Sequence, residues 1–331
     1  MATGDALLEV KDLRTYFHTR AGLVKSVDGV TFSLGRGEIL GIVGESGSGK
    51  SVTGFSILGL VDPPGRIEGG SIRLAGQELV GLSEPEMRRL RGRRIAMIFQ
   101  DPMMTLTPVL RVDTQMIEAV RAHDKVTEKA ARERARDALA KVGIPSPTER
   151  LKAYPHQLSG GMRQRVAIAI ALLHQPDLII ADEPTTALDV TIQSQILAEV
   201  QSLAREQGTA LVWITHDLAV VSSLADRIAV MYAGRIVEQG PAARVLANPV
   251  HQYSHGLLES IPSRNETGQR LAQIAGAAPS LARLPPGCAF APRCCASSDI
   301  CRQDVPAEIE RRPDHFARCH HPRPSLPGDL S

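Results

Sequence analysis

The sequence predicts an α/β fold, and three apolar runs predict it. Ile39-Leu-Gly-Ile-Val43 runs straight into the glycine-rich stretch GESGSGKS, residues 44 to 51. Leu178-Ile-Ile-Ala181 ends in the acidic pair Asp182-Glu183. TALVWIT, residues 209 to 215, leads to His216. Short continuous apolar runs of this kind read as strands buried on both faces. Ligands of open α/β sheets gather at the C-terminal ends of such strands, and there each run carries its polar residues.

Length and composition set the frame. The chain has 331 residues, 43% hydrophobic and 22% charged, which suits one large domain or a main domain with an appendage. Aromatics are 3%, so aliphatic packing must dominate the core. The 38 basic and 36 acidic residues nearly cancel, leaving no field that would draw a polyanion, so no nucleic-acid partner is expected. The start, MATGDALLEVKDLR, lacks the basic and apolar regions of a signal peptide. The longest apolar run, Val166 to Leu173, is far short of the ~20 residues that span a bilayer. A soluble, cytosolic protein with reduced thiols is expected.

GESGSGKS fits the pattern G-x-x-x-x-G-K-[ST] in a strand–loop–helix context. Gly44, Gly47 and Gly49 let the backbone turn tightly, and with Ser46 they aim N–H groups at phosphate. The next helix adds its positive N-terminal end. Lys50 would reach the β- and γ-phosphates, and the Ser51 hydroxyl would bind Mg2+. Asp182 would hold the same ion through water, and Glu183 would orient or deprotonate the attacking water. Together the two motifs read as nucleotide hydrolysis.

A second glycine signal is LSGGMRQR, residues 158 to 165, ahead of the apolar helix VAIAIALL. Ser159 is a good N-cap. Gly160 and Gly161 cost helix stability, so close approach of backbone to a phosphate explains them better than capping does.

This set resembles the ATP-binding subunits of ABC transporters. LSGGM is similar to their signature, usually written LSGGQ, and Met162 followed by Arg-Gln-Arg resembles the oligopeptide and dipeptide importer branch. Gln100 in IFQDP resembles the glutamine loop that contacts Mg2+ and the permease. Ala187-Leu188-Asp189 resembles the dimer-contacting D-loop, and His216 in WITHDL the switch histidine that senses γ-phosphate. Phe17, with Tyr16 as the alternative, resembles the aromatic that stacks on adenine. The resemblance implies a P-loop NTPase (RecA-like) core with an N-terminal antiparallel β subdomain and an inserted α-helical subdomain. It implies two ATP molecules sandwiched at a head-to-tail dimer, formed with a sister ATPase subunit or a second copy. Two transmembrane permease subunits and, indirectly, an extracytoplasmic substrate-binding protein complete the expected assembly, at the cytoplasmic face of the cell membrane. Peptides are the expected cargo; nickel, glutathione and antimicrobial peptides stay open. A soluble ABC ATPase acting on DNA or ribosomes is the rival, but no coiled-coil insertion or second cassette is visible.

The pieces between follow in order. LLEVKDLRTYF and SVDGVTFSL read as strands, and IEGGSIRLAG as a strand pair around its glycines. EPEMRRLRGRR, residues 84 to 94 with five arginines, reads as a solvated helix. Residues 101 to 158 form the expected helical subdomain. Within it Val126, Ala130, Ala131, Ala135, Ala138, Leu139 and Val142 recur at helical spacing, with Gly143 and Pro145 as the stop. ADRIAVMYAGRIVEQG reads as a hairpin turning at Ala233-Gly234. The nucleotide-binding domain is expected over 1–262, and a linker with a Cys-rich extension over 263–331.

No cysteine occurs in the first 287 residues; then come Cys288, Cys294, Cys295, Cys301 and Cys319. Disulfides, a zinc site, an iron–sulfur cluster and unliganded thiols compete as explanations. Gaps of five and six residues are wide for zinc and suit a bulkier cluster better. The tail also resembles the C-terminal extension of peptide-importer ATPases, some of which carry a 4Fe–4S cluster. That resemblance maps the ligands to Cys288, Cys294, Cys301 and Cys319. Cys295 stands where the family usually has proline. A metal would stabilise an extension too short to build much core.

Overall fold

The computed structural model describes residues 6–185, 190–261 and 273–324. The described chain divides into two compact units. One comprises residues up to Leu34, Ile39–Val80 and Ile214 onward; the other comprises Gly35–Glu38 and Gly81–Trp213.

The first unit opens with β1 (Ala6–Thr19) and β2 (Gly22–Gly35), then β3 (Ile39–Val43), α1 (Lys50–Leu58), β4 (Gly65–Leu74) and β5 (Gln77–Glu78). A four-stranded sheet runs in the order β2-β1-β4-β5, with β1 and β4 antiparallel. IEGGSIRLAG differs from expectation: Ile67 to Leu74 run through Gly69 and Gly70 as the single strand β4, and the turn at Ala75-Gly76 leads to its partner β5. Gly70, at φ +95°, lies against a bulge in β1 where Asp12 also takes a positive φ. A Cβ at Gly70 would collide with the Asp12 carbonyl, so the glycine admits the bulge instead of ending the strand.

The second unit holds α2 (Glu84–Leu90), β6 (Ile95–Ile98), α3 (Val112–His123), α4 (Glu128–Lys141), α5 (Pro147–Arg150), α6 (Gly160–Leu172), β7 (Leu178–Asp182) and α7 (Val190–Gln207). Strand β6 pairs parallel with β7. Helix α2 buries only Met87 and Leu90 and caps itself with a Ser83–Glu86 box, as a solvated helix should. Helix α4 buries Ala131, Ala135 and Leu139 at the expected spacing, and Val142 follows them inward. Small alanines let it pack closely, and Arg134 pairs with Asp124 at 2.6 Å to tie α4 back to the end of α3.

Strand β8 (Ala210–Thr215) leads back into the first unit, which continues with α8 (Leu218–Leu224), β9 (Arg227–Tyr232), β10 (Arg235–Pro241), α9 (Ala242–Ala247) and α10 (Gln252–Glu259). Beyond these lie α11 (Asp299–Gln303), β11 (Ile309–Arg312) and β12 (His315–Ala317). Strand β3 pairs parallel with β9, and β9 pairs antiparallel with β10 through a turn whose residues Ala233 and Gly234 both have positive φ. At Gly41 in β3 a Cβ would strike Val221, so α8 packs directly on strand backbone. Among the described residues no helix is long and apolar enough to cross a membrane.

The cysteine-bearing segment is joined to this unit by backbone pairing. Strand β12 adds to the edge of β10, with Glu238 opposite Ala317, and β11 closes the hairpin. Beneath it Glu238 is fully buried, hydrogen-bonded to His315 Nε2 at 2.7 Å and accepting from the backbone N–H of Val250 and His251. His251 caps α10 by accepting the Tyr253 N–H at Nδ1, 3.0 Å. Burial holds His251 down to a pKa of about 4, against the opposing charge of Glu238. The sign of the linkage follows. Between pH 6.5 and about 4 the unfolded chain takes up a proton that folded His251 refuses, so stability falls as pH falls. From pH 7 to pH 5 this group removes about 2 kcal/mol. Urea unfolding at the two pH values should show that loss, and it should shrink in His251→Asn, which can still cap the helix.

Candidate functional site

The phosphate loop and His216 belong to the first unit; Gln100, Asp182, Glu183 and the Ser159–Gly161 turn belong to the second.

All five residues of β3 are buried, and the loop leaves its C-terminal end. Gly44, Gly47 and Gly49 all have positive φ, at 155°, 76° and 104°. A Cβ at Gly44 would collide with the Met231 carbonyl, and one at Gly49 with the Ser26 carbonyl. At Gly47 nothing lies within 4 Å, so only the backbone conformation demands glycine there. Ser46 and Gly47 are exposed at the tip, while Gly49 takes the N-cap position of α1. Lys50 is buried and donates to the carbonyls of Gly44 at 2.8 Å and Glu45 at 3.0 Å, which holds the loop closed around its ammonium. Ser51 follows in the first turn of α1. The arrangement sets loop backbone, a buried cation and a helix N-terminus side by side, the combination that suits phosphate.

Of the two candidate rings, Tyr16 is committed elsewhere. Its hydroxyl donates to Asp28 at 2.5 Å, Lys25 lies over its ring, and Asp28 also takes Arg235 at 2.7 Å. Burial and the Asp28 bond push Tyr16 up to about 12. Burial alone would raise Asp28, but the bonds from Tyr16 and Arg235 outweigh it and hold it low. Phe17 is half-buried, its ring against Gly65, where a Cβ would strike it. His216 is exposed at the end of β8, just before the N-cap Asp217 of α8.

In the second unit, β7 is buried throughout and delivers Asp182, itself buried, at its C-terminal end. Glu183 follows with φ +45°, a strained conformation for a non-glycine residue. Because β6 runs parallel to β7, with Ile98 opposite Ala181, Gln100 comes out beside the carboxylates. Its Nε2 donates to Glu183 Oε2 at 3.3 Å. Ser159 caps α6, its hydroxyl accepting from the Met162 N–H. Ser159 and Gly160 are exposed, and a Cβ at Gly160 would meet nothing within 4 Å. No internal packing requires that glycine, which leaves room for a ligand on the helix N-terminus. Asp189 lies outside the described residues.

Two residues that the sequence singled out for no structural role build this half. Gln164 donates to the Phe99 carbonyl at 3.4 Å, joining α6 to the segment that carries Gln100 out of β6. Buried Arg165 donates to the carbonyls of Val142 and Gly143, closing the end of α4. They follow the signature as the Gln and second Arg of Arg-Gln-Arg, but nothing in their spacing points inward.

The cysteines separate into four and one. Cys288, Cys294, Cys301 and Cys319 line one small recess with His251, while Cys295 is exposed. Backbone contact helps gather them, the Cys288 N–H donating to the Cys301 carbonyl at 2.8 Å. Burial pushes Cys319 up to about 11, and burial also raises Cys288 and Cys294; charge on neighbouring thiols adds to each shift. Thiolates here would need a cation to be stable. Among the described residues no three His, Cys, Asp or Glu side chains are gathered closely enough to hold a single metal ion. The four cysteines share one recess, but no metal-holding arrangement is formed there among the described residues.

The class of protein these elements define is an ATP-binding cassette. Residues 27–186 match the ABC transporter family, and residues 237–301 match the C-terminal region of oligopeptide/dipeptide transporters. The oligopeptide transport ATP-binding protein OppD of Escherichia coli (strain K12) is 49% identical, over 96% of this chain and 94% of the relative. The dipeptide transport ATP-binding protein DppD of Bacillus subtilis (strain 168) is 48% identical, over 95% and 94%. Among solved structures, the ATP-binding cassette MJ0796, a dimer bound to ADP and Pi, is similar with a TM-score of 0.65 and 26% identity. That likeness spans 71% of this chain and 98% of the other. The chain belongs to the ATP-binding proteins of oligopeptide and dipeptide ABC transporters, and it is an ATPase of the ABC class.

The backbone demand at Gly49 gives a test. Gly49→Ala, at φ +104° and against the Ser26 carbonyl, must displace the loop. ATP affinity should fall by roughly tenfold or more, ~1.4 kcal/mol, in an equilibrium binding measurement.

Proposed function

We propose that this chain hydrolyses ATP to power the import of di- or oligopeptides through a membrane permease. The single observation that carries the cargo class is the match of residues 237–301 to the oligopeptide/dipeptide transporter C-terminal region, on a chain that also holds the cassette's nucleotide motifs. The backbone of Gly44, Ser46, Gly47 and Gly49 binds phosphate with Lys50. Ser51 and Gln100 bind Mg2+, and Asp182 holds it through water. Glu183 activates the attacking water, and the Gln100 contact at 3.3 Å supports its position. His216 senses the γ-phosphate. Phe17 stacks on adenine, with Tyr16 as the alternative; the bond from the Tyr16 hydroxyl to Asp28 favours Phe17.

Ser159, Gly160 and Gly161 act on the ATP held by a partner's phosphate loop, with Asp189 contacting that partner. Exposure of Ser159 and Gly160, with open space at Gly160, supports this reading. The partner is a sister ATPase in a heterodimer, and the pair drives two permease chains from the cytoplasmic face of the membrane. A substrate-binding protein delivers peptide on the other side. Glu183→Gln should keep ATP binding and stabilise the closed dimer while cutting turnover at least about a hundredfold. Unimpaired hydrolysis in that variant would refute the assignment.

We also propose that Cys288, Cys294, Cys301 and Cys319 hold a 4Fe–4S cluster, with Cys295 outside the ligand set. The shared recess and the exposure of Cys295 support it. When bound, the cluster would cross-link segments that otherwise depend on a short hairpin. Anaerobically purified protein should absorb in the visible, with about four iron and four sulfide per chain. About one zinc per chain in a colourless protein would replace the cluster with a structural zinc site.

A further inference from the structure

The phosphate loop contains an acidic residue at its second position, Glu45, and an anionic ligand must approach it. An unpaired carboxylate there would repel phosphate. In this structure Glu45 is not unpaired. Arg293, from the segment between Cys288 and Cys294, donates to Glu45 Oε2 at 2.9 Å, and the arginine side chain is only 6% exposed. Arg293 also donates to the Tyr232 hydroxyl at 3.2 Å and the Ala275 carbonyl at 2.9 Å. Its guanidinium lies over the rings of Tyr232 and Phe290, at 5.8 and 5.9 Å from their centroids. Glu45 is fixed at its backbone too. Its N–H donates to the Tyr253 hydroxyl at 2.9 Å, and its carbonyl accepts from Lys50 at 3.0 Å and from the Ser48 N–H. The residue that carries the carboxylate is thus also the one that seats the phosphate-binding lysine.

We infer that Arg293 is a positioning residue of the nucleotide site, supplied by the C-terminal extension. It neutralises Glu45 and draws that carboxylate aside, so that triphosphate meets Lys50 and the loop N–H groups without an opposing charge. The inference rests on the ATP-binding reading of the loop. A guanidinium suits the role because its flat fork serves a carboxylate, a hydroxyl and a carbonyl at once while stacking on two rings. Arginine also keeps its charge when buried. The contact makes the extension part of the ATP site without placing any of its groups on the nucleotide.

The test is equilibrium binding of Mg-ATP to the full chain. Arg293→Met keeps the packing against Tyr232 and Phe290 but leaves Glu45 unpaired, and should weaken binding about tenfold. Adding Glu45→Gln to Arg293→Met should recover affinity to within about threefold, because the lost charge balance, not lost packing, is the cause. A merely structural arginine would show no such recovery. Unchanged affinity in Arg293→Met, or a loss that Glu45→Gln does not restore, overturns the inference. If Arg293→Met does not fold, the double variant decides alone: wild-type-like affinity supports the inference and a tenfold loss overturns it. Absence of ATP binding by the wild-type chain would instead overturn the functional reading on which the inference rests.

Discussion

The structure of the first unit depends on a few places where backbone must touch backbone. Gly49 lies against the Ser26 carbonyl, Gly44 against the Met231 carbonyl, and Gly234 against the carbonyls of Lys25 and Ser26. The Gly234 N–H then donates to the Ser48 carbonyl, and the Asp28 N–H to the Gly234 carbonyl. Strand β2, the phosphate loop and the β9–β10 turn therefore meet backbone to backbone. That contact holds the loop rigid without filling its mouth. A loop already held in shape spends less binding energy on ordering itself around a ligand. Positive φ at three loop glycines is the conformational cost of that shape.

Aromatic residues are scarce in this chain, yet three of them meet behind the same loop. The rings of Tyr232, Tyr253 and Phe290 lie 4.5 to 5.4 Å apart between centroids, joining β9, α10 and the cysteine-bearing segment. Two of these rings flank Arg293, and the third offers its hydroxyl to Glu45. On the other side the buried pair Glu238–His315 ties β12 to β10. A buried pair of this kind costs desolvation and is weak evidence for stability, but it leaves few alternative ways to dock the hairpin. The extension is thus held at two points, a buried polar pair and an aromatic cluster, and the second reaches the nucleotide loop.

The comparisons divide the chain along the same line. The general transporter match ends at residue 186, and the oligopeptide/dipeptide match begins at residue 237 in β10. The first stretch carries the chemistry common to cassettes. The second carries the partners of Glu45 and the first four cysteines. The branch-specific part of the chain is therefore not remote from the shared chemistry, since Arg293 pairs with the loop itself.

Much of this protein was determined by local sequence. Apolar runs long enough for one strand, followed by glycine, carboxylates or histidine, marked β3, β7 and β8 and the polar residues at their ends. Helical spacing marked α4, and Ala233-Gly234 marked a turn, because these signals arise from the residue's own backbone preference or from its neighbours three or four positions away. What only the tertiary structure decided is which distant residues meet. Gly70 reads as a strand break until the Asp12 bulge is seen beside it. Tyr16 and Phe17 are neighbours in sequence, and only the fold shows that Asp28 takes the hydroxyl of Tyr16. Five cysteines carry no spacing that gathers four of them in one recess, and only the fold brings Cys288, Cys294, Cys301 and Cys319 together and leaves Cys295 exposed. Arg293 and Glu45 lie 248 residues apart, and no pattern along the chain links them. Short-range signals report conformation; pairing across such distances is set by how strands and helices stack, and that is decided only when the chain folds.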